Sequence, residues 1–333
     1  MSILNQLAST AMSVQLSGTC TKTLTRKIGG ASQVLATEYH GDEKAFSGRI
    51  NMLPEPWHTK SGMKSLKAAY NAVRTAFYKH TMPYGMDAAG GAGADAKAKG
   101  ERLVLVKHIA DGSFVASMDA LLADLEVARN ACAGVWDLII TDIEASHVLG
   151  VHFDRDFFPT AQDIKKSWYY APINPTPLPN TTALDGAYMP RDVLESIEER
   201  MEEQALGRLR FGQQQLALEA AGYIQTLVQN TARISAWAGD PNRGKRPPVG
   251  SNVVSNIKEA IGKLRSFAMP ESSMGLALID LVDQVEGDLN LDSFAPEDLK
   301  NSVVYSELVH SRATKAEQTL TNGIDNLFAG YGE

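Results

Sequence analysis

Cysteine is nearly absent from this chain: 333 residues include two, Cys20 and Cys132. Two thiols so far apart support neither a disulfide framework nor a zinc-finger set, and a reducing, intracellular setting follows. Aromatics amount to 7% of the chain, whereas Ala, Leu and Gln are plentiful, a balance that leans towards helix. No segment approaches the roughly 18 apolar residues needed to span a bilayer, so no membrane partner is expected. Residues 1–15 lack the basic start and unbroken apolar core of a signal peptide, and the expected location is the cytoplasm. Positive charge is not in excess either. A formal net charge of -7 argues against a surface devoted to nucleic-acid phosphates, although it leaves room for a local basic groove.

Catalytic signatures are missing as well. Residues 87–100 are almost all Gly, Ala, Asp and Lys, but no Ser or Thr follows Lys97 or Lys99; this is a linker composition rather than a phosphate loop. No Gly-x-Ser-x-Gly occurs, and neither cysteine shares a motif with histidine, so nucleophilic catalysis has no visible machinery. His147 and His152, with Asp154 and Asp156 behind them, could hold a divalent ion and would make the protein a metal-dependent hydrolase. Gly150 separates the two histidines, however, and their spacing matches no zinc signature; a polar turn is the plainer reading. The acids of 198–203 fall in the first turns of a helix, where a solvated face suits the helix dipole. No cofactor is expected, and no enzymatic activity.

What the sequence does contain is a heptad ladder. Leu209, Gln213, Leu216, Ala220, Tyr223, Leu227, Asn230, Ile234 and Trp237 alternate steps of four and three, laying one seam along a helix. Upstream, Leu194, Ile197, Met201 and Ala205 continue it with a stutter near Ala205. From Pro190 to Ala238 such a helix reaches roughly 70 Å. A second seam runs through Met118, Leu122, Leu125, Arg129, Cys132, Trp136, Ile139 and Ile143, and the matching pair predicts two long antiparallel helices. The polar seam residues Gln213, Asn230 and Arg129 either fix register and partner number or face water.

Around this spine, Met12–Gly18 and Cys20–Ile28 alternate apolar with polar and are rich in Thr, which predicts a strand or hairpin with Gly18 at the turn. Leu66, Tyr70, Val73 and Phe77 are spaced for one helical face, and residues 102–108 for a short strand. Four prolines between Pro172 and Pro179 forbid a helix or central strand there. Helices are expected from Asn252 to Ala268, from Ser272 or Ser273 onward, and from Glu297 to Phe328 with a break near Ser311. The fold class is mainly α with a small β element (α+β): a long antiparallel helical pair with additional C-terminal helices. Three regions follow: 1–110, an N-terminal α+β region with the hairpin, a helix and the Gly/Ala-rich loop; 111–239, a long helical hairpin with a Pro/aromatic-rich intervening segment; and 240–333, C-terminal helices.

Two basic patches remain, Lys22, Arg26 and Lys27 near the start and Arg243, Lys245 and Arg246 before Pro247. With Trp168, Tyr169 and Tyr170 they would supply phosphate contacts and a stacking platform for single-stranded DNA.

The order of these features resembles a known family. A Thr-rich strand region, a helix leading to Thr81-Met-Pro-Tyr-Gly, a Gly-bearing link to a short strand, and a long helix come first. A Phe/Pro/Asp segment with a downstream Pro-Leu-Pro and a very long Gln/Arg/Glu helix follow. From about residue 10 to 300 this is similar to uncharacterised tailed-bacteriophage proteins. Their more distant bacterial relatives are encoded near MoxR-type AAA+ ATPases and von Willebrand A-domain proteins, and phage members stand among DNA-metabolism genes. Relative to that pattern, residues 88–100 are an insertion. The two heptad seams, their polar residues and the lack of a catalytic set lead to the expectation of a non-enzymatic protein that self-assembles as a homo-oligomer or acts as an adaptor through its long helices. The resemblance implies a phage-type protein in the host cytoplasm that serves an AAA+ ATPase or phage DNA handling. Binding of single-stranded DNA in replication or recombination is the second reading.

Overall fold

A computed structural model describes residues 3–20, 24–27, 49–84, 100–179, 190–240, 247, 252–269, 272–290, 298–299 and 302–329. In chain order they form α1 (Ile3–Thr10), β1 (Ala11–Val14), β2 (Gly18–Thr19), β3 (Thr25–Lys27), β4 (Arg49–Asn51), α2 (Trp57–Lys60), α3 (Met63–His80), β5 (Thr81–Pro83), β6 (Arg102–Leu105), α4 (Val106–Ala110) and α5 (Ser113–Ser146). After these come α6 (Ala161–Ser167), β7 (Tyr169–Tyr170), β8 (Thr176–Pro177), α7 (Arg191–Gly239), α8 (Asn252–Ser266), α9 (Ser273–Leu289) and α10 (Val303–Phe328). The class is the expected one, mainly α with a small antiparallel β element.

The division into regions differs from the expected succession 1–110, 111–239 and 240–333. Met1–Gln15, Lys79–Ala110 and Asn174–Glu333 form one compact unit, while Leu16–Tyr78 and Asp111–Ile173 form a second. The cause is strand pairing across long sequence distances, which local periodicity does not encode.

In the first unit, α7 packs most extensively on α10 and α8, and α10 also lies along α9. Its sheet has the order β5-β6-β1-β8 and is antiparallel throughout, with Ala11 opposite Leu105, Thr81 opposite Val104 and Met12 opposite Pro177. Pro177 cannot donate to a ladder, and it sits on an edge strand, where that costs nothing. Arg102 is buried at 5% exposure; it is held by Nε donating to Thr81 Oγ1 at 2.8 Å and Nη2 donating to the Thr81 carbonyl at 3.1 Å.

In the second unit α3 buries Met63, Leu66, Val73 and Phe77, the face its spacing predicts. From α5 come Phe114, Met118, Leu125, Cys132, Trp136, Ile139 and Ile143. Trp136 donates its indole N–H to the Pro159 carbonyl at 2.6 Å, satisfying the one polar atom of a fully buried ring. A capping box between Thr160 and Asp163 starts α6, which inserts Ile164 into the same core.

Three local expectations are corrected. The Thr-rich N-terminal strands do not pair with each other: β1 joins β6 and β8, β2 joins β7, and β3 joins β4. Gly18 is a strand residue, not a turn, and a Cβ there would lie 2.3 Å from the Tyr170 ring and 2.6 Å from the Tyr169 carbonyl oxygen. Finally, α10 runs unbroken through Ser311.

The two long helices also find different company from that expected. α5 belongs to the second unit and α7 to the first, and each fills its buried face from within its own unit.

Candidate functional site

The seam of α7 is consumed by its own chain. Leu209, Gln213, Leu216, Ala220, Leu227 and Ile234 are buried, while Tyr223, Asn230 and Trp237 are half-buried. At two of those three, burial moves one residue on, to Ile224 and Thr231. From Ala205 to Ile234 the buried positions therefore advance by about 3.6 residues per step, the period of a straight helix, rather than the 3.5 of a supercoiled seam. The polar seam residue Gln213 is 2% exposed, and its Nε2 donates to the Phe267 carbonyl at 2.8 Å. Thr231 Oγ1 lies 3.0 Å from His310 Nδ1 on α10. Arg129, in the other seam, is paired with Glu126 at 3.7 Å.

The aromatic residues expected as a stacking platform are mostly interior. Trp168 and Tyr170 are 5% and 8% exposed. Tyr70 stacks on Tyr170 with centroids 4.3 Å apart and meets Trp168 edge-on at 5.4 Å. Burial, reinforced by the Tyr70 hydroxyl, pushes the Tyr170 phenol far above its ordinary range. Of the three, Tyr169 alone faces outward. Bases need open ring faces, and two of the three rings have none. Lys22, Arg243, Lys245 and Arg246 lie outside the described residues; Arg26 and Lys27 fall in β3, where only the backbone is described.

His147 caps the end of α5 in the left-handed region, with φ of 52°. His152 ends a short 3-10 turn, and Asp154 caps the next one by accepting from the Asp156 amide. Each has a local backbone role, and among the described residues no three His, Cys, Asp or Glu side chains converge as metal ligands do. Cys132 is a core thiol that burial pushes up to about 11, so it is poorly suited to act as a nucleophile.

The feature that sequence reading passed over is the outer face of α5. Val127 is 70% exposed and Leu138 74%, with Val135 also open. Helical geometry aligns them with the exposed Ala120, Ala123, Ala131, Gly134 and Ala145 on one face, which Thr141 interrupts and which Asp124 and Asp142 share on the Val135 side. The exposed acids Asp119, Glu126, Asp137 and Glu144 follow one border of that face. Arg129 is the single basic residue of the helix. Asp119 and Asp137 have no cationic partner among the described residues, whereas Glu144 is paired with Arg155 at 2.9 Å. The signal was present in the sequence: α5 carries more apolar and small residues than one buried face requires.

Comparison with protein-family models, curated proteins and solved structures finds no match for this chain. Among the described residues no helix is long and apolar enough to cross a membrane.

Proposed function

We propose that this protein is a non-enzymatic, phage-type adaptor that receives a helix of a second protein on the outer face of α5. The observation that carries this reading is the exposure of Val127 and Leu138 on a helix face lined mostly by small and apolar residues. A face of this kind on a protein surface marks an interaction site.

Charge selects the occupant. The border of carboxylates favours a helix that carries its own apolar stripe beside Lys and Arg. A second copy of the chain would offer only Arg129 from this helix, a poor complement to the four acids of that border. Self-assembly through the α7 seam loses its motive, because α8 and α10 already cover that seam. The resemblance to tailed-phage proteins supports a MoxR-type AAA+ ATPase as the partner and phage DNA handling as the setting.

Calorimetric titration of the protein with a purified MoxR-type ATPase tests this. Binding is expected, weakened about tenfold or more by Val127→Glu with Leu138→Glu while the circular dichroism stays unchanged. Absence of binding would remove this ATPase as partner, and binding indifferent to both substitutions would remove the face. A dimer in light scattering that dissociates on Leu138→Glu would turn the face into a contact between copies.

A further inference from the structure

The acids that flank the α5 face are not all alike. Asp142 is exposed and lies one helical turn beyond Leu138 and two beyond Val135. Its Oδ2 accepts from the indole N–H of Trp57 at 2.6 Å, so an aromatic ring from another element stands at the edge of the face. Trp57 and Asp142 belong to the same compact unit, in which α2 packs on α5.

Trp57 is fixed in place before any partner arrives. It opens α2, whose single turn is braced by Glu55 as one carboxylate oxygen accepts from Thr59 Oγ1 at 2.8 Å. Met52 and Leu53 before this turn and Met63 after it are buried, which anchors it from both sides. Yet Trp57 itself is only half-buried, whereas Trp136 and Trp168 are buried. Its N–H is spent on an exposed carboxylate, a kind of bond that contributes little to folding.

Asp142 uses one oxygen for the indole, and its Oδ1 meets no donor among the described residues. A partly open tryptophan beside a half-used carboxylate is a receptacle for a cation: the ring attracts the charge, and the remaining oxygen accepts an N–H. Arginine suits it better than lysine, because a planar guanidinium stacks on an indole while donating in its own plane to a carboxylate. Tryptophan is also among the residues that most often dominate the binding energy of an interface.

Resting on the reading that α5 receives a helix of a second protein, we infer that Trp57 and Asp142 select an arginine at the edge of that helix's apolar stripe. Asp119, Glu126 and Asp137, on the opposite border, accept either basic residue.

Three synthetic helical peptides of one design, a leucine stripe flanked by Arg, by Lys or by Gln, serve as probes in calorimetry of the full chain. The Arg peptide is expected to bind about threefold tighter than the Lys peptide and about tenfold or more tighter than the Gln peptide. Trp57→Leu and Asp142→Asn are each expected to erase the preference for Arg over Lys. Equal binding of the Arg and Lys peptides by the wild type, or a preference that survives Trp57→Leu, would overturn this inference and leave the docking face standing. Binding of the Arg peptide that is indifferent to Val127→Glu with Leu138→Glu, or no binding of any peptide, would overturn the face and this inference together. If Trp57→Leu disturbs the circular dichroism, Asp142→Asn decides alone: an undiminished preference for Arg in that variant would overturn the selection.

Discussion

Gln213, in the middle of the longest helix, donates its side-chain amide to the backbone carbonyl of Phe267 just beyond the end of α8, at 2.8 Å and almost wholly out of water. The bond ties the α7 seam to the loop that leads into α9. An amide in an apolar seam is thereby explained without a second chain.

Replacing Gln213 with Leu keeps the bulk but leaves the Phe267 carbonyl unpaired. Since an orphaned buried acceptor costs about 1–3 kcal/mol, Gln213→Leu is expected to destabilise the protein by that amount in urea unfolding, despite its greater hydrophobicity.

Glycines of α7 separate into two kinds. At Gly212 a Cβ would lie 2.1 Å from the Pro83 carbonyl oxygen, whereas at Gly222 nothing comes within 4 Å. Alanine gains roughly 0.8–1 kcal/mol over glycine inside a helix. Gly222→Ala is therefore expected to stabilise by about that much. Gly212→Ala is expected to lower Tm, because the clash is with backbone and exceeds the propensity gain.

The two thiols differ in reach: Cys20 is exposed, and Cys132 is buried with its pKa pushed up to about 11 by desolvation. A colorimetric thiol reagent at pH 8 is expected to modify Cys20 quickly in the folded protein, and Cys132 only after urea unfolds it.

His80 gives the stability a pH dependence. Desolvation lowers its pKa below the usual value, and the charges of His108, Lys79 and Lys263 add to this against an opposing pull from Glu259. In the unfolded chain the imidazole takes up a proton near pH 6.5, while in the folded state it resists until lower pH. Stability from this group is thus present above about pH 6.5 and lost as pH falls through the folded value. Urea melts between pH 7.5 and 5 are expected to show that loss in the wild type and less of it in His80→Gln.

Helical content was legible in the sequence because it is written at short range. The faces of α3 and α5 follow from 3.6-residue spacing of Leu66, Val73 and Phe77 and of Met118, Leu125 and Cys132. Pairings were not legible, since nothing local tells Met12 that its neighbours are Val104 and Pro177. The α7 ladder was read at seven-residue period, and Tyr223 and Asn230 stepped off the buried line because a straight helix drifts from that period. Trp168 and Tyr170 looked like a platform because sequence does not reveal that Tyr70 already lies upon them. The α5 face was visible as surplus hydrophobicity, but only exposure values separate a surplus from a core.

The way the backbone threads between the two units bears on how a nascent chain matures. By the time Ile173 leaves the ribosome every segment of the second unit exists, whereas the first still awaits α7 through α10. Strand β1 can meet β6 early, but its other edge stays bare until Thr176 is synthesised. Birth order therefore completes the later-starting half before the earlier-starting one.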